Sequence, residues 1–145
     1  MATDEAFDQI HSFVESRWAD AALTCPIAWD NEEFTEPKPY DADDQPQHWG
    51  KVLIDGKLWR LESIGSGDPA DERWEETGGL QFFAMVPVGT GSRRCRQVLT
   101  EFAQMCRGQE AGAVTFGDII FNPIGSTDEA GNWWTMSIEI EWKRG

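Results

Sequence analysis

The closing stretch NWWTMSIEIEWKR, residues 132–144, alternates without a break. Trp134, Met136, Ile138, Ile140 and Trp142 fall on one side, and Trp133, Thr135, Ser137, Glu139, Glu141 and Lys143 on the other. Successive side chains of a strand point to opposite faces, so this pattern reads as a strand with one buried face. It demands a sheet, and the remaining segments are read for what pairs with that strand and what covers it.

Two segments carry helical spacing instead. In residues 4–22, Phe7, Ile10, Val14, Trp18 and Ala21 recur at three- and four-residue steps, with Phe13 on the flank. Thr3 is placed as the N-cap, Asp4 and Glu5 suit the positive end of the helix dipole, and Pro26 closes the segment. In residues 91–107, Cys95, Val98, Leu99, Phe102, Met105 and Cys106 form a second stripe, with Gly108 as its stop.

Between the helices, Ile27–Trp29 reads as a short edge strand. Asp55-Gly56 lies between two apolar runs and predicts a tight hairpin turn. GSGDPADE, residues 65–72, predicts another turn, and residues 73–88 a long strand bulged at Gly78-Gly79. GAVTFGDIIFNP after the second helix supplies one more strand. The expected fold is α+β, in the order α-β-β-β-α-β-β, with two helices on one face of a mainly antiparallel sheet in a single domain spanning residues 1–145.

One segment fits neither period. From Asp30 to Asp44 there are seven acids, Asp41, Asp43 and Asp44 among them, against the single base Lys38. Pro37, Pro39 and Pro46 deny ladder donors, so about residues 30–47 read as an extended acidic loop.

Charge and composition narrow the function. A net charge of −14 over 145 residues repels phosphate backbones and anionic lipid, which argues against nucleic-acid and membrane-surface roles. The longest nearly apolar run, LQFFAMVPV, is too short to span a bilayer, and the opening residues do not read as a leader peptide. Cys25, Cys95 and Cys106 have no zinc spacing. The latter pair, on one helix, would stand ~16 Å apart, too far for a disulfide. They read as reduced core thiols of a cytoplasmic protein.

Catalytic patterns are missing from the sequence. His11 and His48 belong to no Ser/His/Asp or metal constellation. Asp41-Ala-Asp43-Asp44 departs from a calcium loop at Pro46 and Val52. GTGSRR (residues 89–94) and GSGDPA (65–70) lack the spacing of nucleotide-binding loops. No enzyme activity, cofactor or metal is expected.

An assembling surface is expected instead. Arg93, Arg94, Arg96 and Arg107 face only Glu101 on the second helix, a basic patch in an acidic chain. Phe82-Phe83 and Trp133-Trp134 place aromatics on both faces of the sheet. The helices cover one face, so Trp133 and one of Phe82 or Phe83 would lie in water unless another chain covers them. The acidic loop is a candidate to meet the arginines of a neighbouring copy.

PIAWDNEEFTEP (residues 26–37), HWGKVLI (48–54), GGLQFFAMVPVGTGSRR (78–94) and WWTMSIEIEWKR (133–144) together resemble the tail terminator proteins of lambda-like, long-tailed phages. The motifs are aromatics, Gly and Pro, follow the family's order over nearly the whole chain, and include no catalytic signature. The acidic loop and the connection SIGSGDPADERWEET are longer than the family's pattern. The resemblance implies a ring, expected to be a hexamer, that caps the tail tube, stops its polymerisation and presents a surface to head-completion proteins. The partners implied are the protein itself, the tube protein and a head-completion protein; the place is the virion tail, assembled in the bacterial cytoplasm. The alternatives are another small tail or neck component, or a monomeric binding module for a cationic ligand.

Overall fold

The computed structural model describes residues 1–62, 67, 68, 70 and 74–145. The chain is α+β. Helix α1 spans Asp4–Trp18, strands β1, β2 and β3 span Ile27–Trp29, Trp49–Leu61 and Trp74–Pro87, and helix α2 spans Arg93–Cys106. Strands β4, β5 and β6 follow at Glu110–Ala111, Val114–Thr127 and Trp133–Arg144. Among the described residues they form one six-stranded sheet in the order β1-β2-β3-β6-β5-β4. All pairings are antiparallel except β1 with β2.

The order differs from the expected one by β4, a two-residue strand that pairs Glu110 and Ala111 with Thr115 and Val114. Gly112, at φ 61°, makes the reversal between them.

Both helices press on the same sheet face. The Phe82 ring lies parallel to that of Phe102 of α2, centroids 4.0 Å apart, and Trp18 of α1 meets both at 5.5–5.6 Å. Phe13 of α1 packs on Phe116 of β5. Val52, Leu80, Ile138 and Ile140 line the sheet side of this core, as the alternation predicts.

Thr3 caps α1 by accepting from the Ala6 amide at 3.3 Å. Its own amide and hydroxyl donate to the buried Glu76 carboxylate at 2.8 and 2.7 Å. This ties the start of α1 to β3. The helix ends earlier than expected because Glu101 of α2 accepts from the Ala22 and Leu23 amides, at 2.6 and 3.0 Å. Those donors are taken from α1's own ladder, and the chain turns toward β1.

The expected turn at Asp55-Gly56 is not formed. Neither residue has the positive φ that a type I′ turn requires, and β2 runs straight through both. Gly56 pairs with Gly78, then Lys57 bulges out and Leu58 resumes opposite Thr77. The irregularity expected at Gly78-Gly79 therefore lies in the facing strand. A Cβ on Gly78 would strike the Asp55 carbonyl and the Trp142 indole, and one on Gly56 would strike Met1. These glycines serve close backbone approach rather than reversal. The turn expected at residues 65–72 lies largely outside the described residues.

Phe82→Ala empties the contact that both helices share and should destabilise the fold by about 3–5 kcal/mol. Phe83→Ala, on the opposite and partly exposed face, should have under half that effect. Urea unfolding of the two variants checks the difference.

Candidate interaction surfaces

The face away from the helices is covered in part by the chain itself. Trp133 is 2% exposed. Its indole meets Trp49 edge-on at 6.0 Å, and Phe34, from the segment expected to be a free loop, stacks on Trp49 at 5.1 Å. The acidic segment thus folds back over the upper end of that face. Two expected interface residues are corrected by this: Trp133 is sealed within its own chain, and Phe82 is 0% exposed in the helix-side core. Phe83 is partly exposed between Lys51 and Ser137 in the ladder, on an otherwise polar part of the face.

The outer part of the acidic segment is folded too. Asp41 Oδ1 accepts from the Asp43 and Gln45 amides at 2.8 and 2.9 Å. The Asp41 amide donates to the Gln45 carbonyl and the Gln47 amide to the Pro39 carbonyl, closing a small loop across the Tyr40–Pro46 bridge. Asp44 takes a left-handed φ of 57° at its tip, a conformation that Asp tolerates. Proline spacing signals the missing ladder donors, and the Asp-x-x-x-Gln run at Asp41–Gln45 carries the turn chemistry. Asp41 is thereby a structural residue, while the Asp43 and Asp44 side chains stay exposed.

Arg93, Arg94 and Arg96 on α2 and Arg107 at its C-cap are all exposed. Arg96 Nε donates to Ser92 Oγ at 3.0 Å, and none of the four joins an ion pair among the described residues. Glu101, the one acid of that helix, is turned to the 22–23 amides, so the charges on the outer face of α2, among Gln97, Thr100 and Gln104, are all positive. Arg94 shares a small cavity of about 260 Å³ with Gln45–His48. The acids Asp43 and Asp44 do not reach the arginines within the chain.

The histidines are engaged locally. His11 stacks on Trp29 at 4.1 Å and lies 3.4 Å from the Glu32 carboxylate, while His48 Nε2 meets the Leu23 carbonyl at 3.0 Å. Among the described residues no group of three or more His, Cys, Asp or Glu is placed to hold a metal ion. No helix among them is long and apolar enough to cross a membrane.

Most of the large exposed apolar side chains, Tyr40 and Val88 apart, sit elsewhere than expected, toward the two edges of the sheet. β1 covers only Gly50–Val52 of β2, and the N-terminal amine donates to the Gly56 carbonyl at 2.5 Å; among the described residues the far end of β2 carries exposed Leu58, Trp59 and Leu61, with exposed Trp74 across the ribbon. β4 covers only Val114 and Thr115 of β5, whose continuation bears exposed Ile120, Phe121 and Ile124. Apolar side chains of IIFNPI were legible in the sequence, but which strand forms the edge is a property of the topology.

No family model matches the chain, and no curated protein matches it. The fold is shared with a solved structure that aligns at a TM-score of 0.63 and 19% identity, over 95% of this chain and 94% of that one. That likeness is one of fold.

Phe34→Ala should uncover Trp49 and Trp133. We expect a red-shifted tryptophan emission and a loss of about 1–3 kcal/mol, consistent with a partly buried aromatic. Unchanged emission would mean that the segment does not cover them. The thiols yield a second expectation. Burial pushes Cys25 and Cys106 up to about 12 and Cys95 up to about 11. Unfolded thiols ionise near pH 9 while the folded ones keep their protons, so stability falls as pH rises from about 9 toward 12. A thiol reagent at pH 8 should label the native chain far more slowly than the chain in urea.

Proposed function

We propose that this chain is a structural subunit of a closed homo-oligomeric ring, acting in assembly rather than catalysis. The observation that carries the reading is that most of its large exposed apolar side chains, Tyr40 and Val88 apart, gather into two unlike surfaces on opposite edges of one sheet. A self-complementary patch makes a two-fold dimer; two unlike patches make a head-to-tail contact, which repeats until a ring closes or a filament grows. Long exposed edges with large apolar side chains are covered in working proteins.

Within that class the particular reading is a phage or prophage tail terminator, a ring, in the resemblance a hexamer, that caps the tail tube and forms the head-tail joining surface. The resemblance of residues 26–37, 48–54, 78–94 and 133–144 supports it. So does the charge of −14, since a ring around a DNA conduit should let phosphates pass without gripping them. The basic face of α2 and the exposed Asp43 and Asp44 are further contacts for neighbouring copies or tail proteins.

Negative-stain microscopy of the purified protein, alone and mixed with a self-assembling tail tube protein, tests the reading. Closed single rings, and tubes that stop growing once capped, are expected. Long stacked tubes of this chain alone would identify a tube component instead. A strict monomer that leaves tube growth unchanged would overturn the proposal.

A further inference from the structure

Resting on the assembly reading, the geometry points to the surfaces that meet: we infer that the β5 edge of one copy docks beside the β2 edge of the next, over the groove that the N-terminal residues wall, with Phe121 as the central anchor. Four features of the fold converge on this pairing.

The first is the receptor. Beside β2 runs a groove of about 720 Å³, walled on one side by the N-terminal residues Met1–Asp4, whose amine sits on the Gly56 carbonyl, and on the other by Phe7, Trp29, Val52, Ile54 and Trp59. It opens on the helix side of the sheet, because Val52 pairs with Phe82 and Ile54 with Leu80, both core residues.

The second is the match of faces. Phe121 pairs with Ile138, a core residue, so it points to that same helix side, and it is 56% exposed. Ile120 pairs with Glu139 and points to the other side. If the sheet continues from one copy into the next by rotation, Phe121 faces the groove. Ile120 then falls on the side of Leu53 and Leu58, which pair with Gln81 and Thr77.

The third is strand direction. β2, β3, β6 and β5 are successively antiparallel, so β2 and β5 run in opposite senses. A copy placed alongside in the same orientation brings β5 against β2 as an antiparallel pair. The ladder is bounded: β4 covers β5 up to Thr115, and Pro123 lacks an amide donor, which leaves the stretch from Gly117 to Asn122.

The fourth is area. Large aromatic side chains cover about 150–250 Å² each. At their observed exposures, the residues Leu58, Trp59, Leu61 and Trp74 leave roughly 400 Å² of apolar surface, and Ile120, Phe121 and Ile124 roughly 300 Å². Interfaces are a little over half apolar, so these two patches belong to a contact of about 1,200 Å² in total, the lower bound for a stable, specific one.

The test uses two variants of the full chain, Phe121→Ser and Trp59→Ser, each at an exposed position. Native mass spectrometry and sedimentation of the parent should show the closed oligomer. Each variant alone should be at least tenfold weaker in assembly. The decisive sample is their mixture. Each variant keeps one intact edge, so an equimolar mixture should yield a 1:1 dimer and no ring, which also shows that both variants are folded. Rings from either variant as readily as from the parent would overturn the edge contact while leaving the ring reading in place. Dimers that either substitution abolishes and mixing fails to restore would mean a self-complementary interface and overturn the inference. A parent that stays monomeric at the highest soluble concentration would overturn both.

Discussion

The parallel rings of Phe82 and Phe102, 4.0 Å apart, with Trp18 against both, are the contact on which this fold rests. Phe82 belongs to a central strand, Phe102 to α2 and Trp18 to the last turn of α1, so one cluster fixes both helices on the same sheet face. Each such ring removes a large apolar area from water. Two polar ties then set the angle of α1: Thr3 on Glu76 at its start and Glu101 on the Ala22 and Leu23 amides at its end. Removing one partner of the buried Glu76 network would leave a desolvated group, which makes the tie strict.

With both helices committed to one face, the other needs a different cover, and the acidic segment supplies it locally. Helices, α+β class and the core stripes were legible because they rest on periodicity, which local residues carry. For Trp133 the alternation gives the face but not what lies over that face, and in the fold Trp49 lies against it. Phe34, alone in a run of acids and prolines, has no partner within its own segment. Only the return of the chain past Trp49 reveals its role. Acid and proline content alone marks a stretch as solvated, yet Phe34 packs within it and Pro37 and Pro39 are partly buried.

Asp55-Gly56 failed for a related reason. An Asp-Gly pair between apolar runs favours a two-residue turn when the flanking strands must pair with each other. Here the same runs pair with β3, from Trp74 to Met85, and the ladder to that longer strand outweighs local turn preference. Gly56 and Gly78 face each other across it, so the absence of side chains is used for a bulge and for the approach of Met1 and Trp142. The functional surfaces were less legible still. The apolar residues of β5 could be read, but their exposure follows from β4 being two residues long. That is a global property of the sheet.

A chain with two apolar edges should be prone to indiscriminate sticking, and its charge bears on this directly. At −14, copies repel at any separation within a Debye length, roughly 8 Å at physiological salt. Hydrophobic contact acts only at touching distance and needs shape. The balance therefore disfavours loose collisions and favours one close, aligned arrangement in which enough area is covered to overcome the repulsion. β1 and β4 block one part of each edge, Pro123 and the irregularities in β5 block another, and the ladder that remains is short enough to admit few registers. Under the proposed assembly, acidity and abbreviated edge strands act together: the first suppresses association in general, and the second leaves a single geometry in which it can occur.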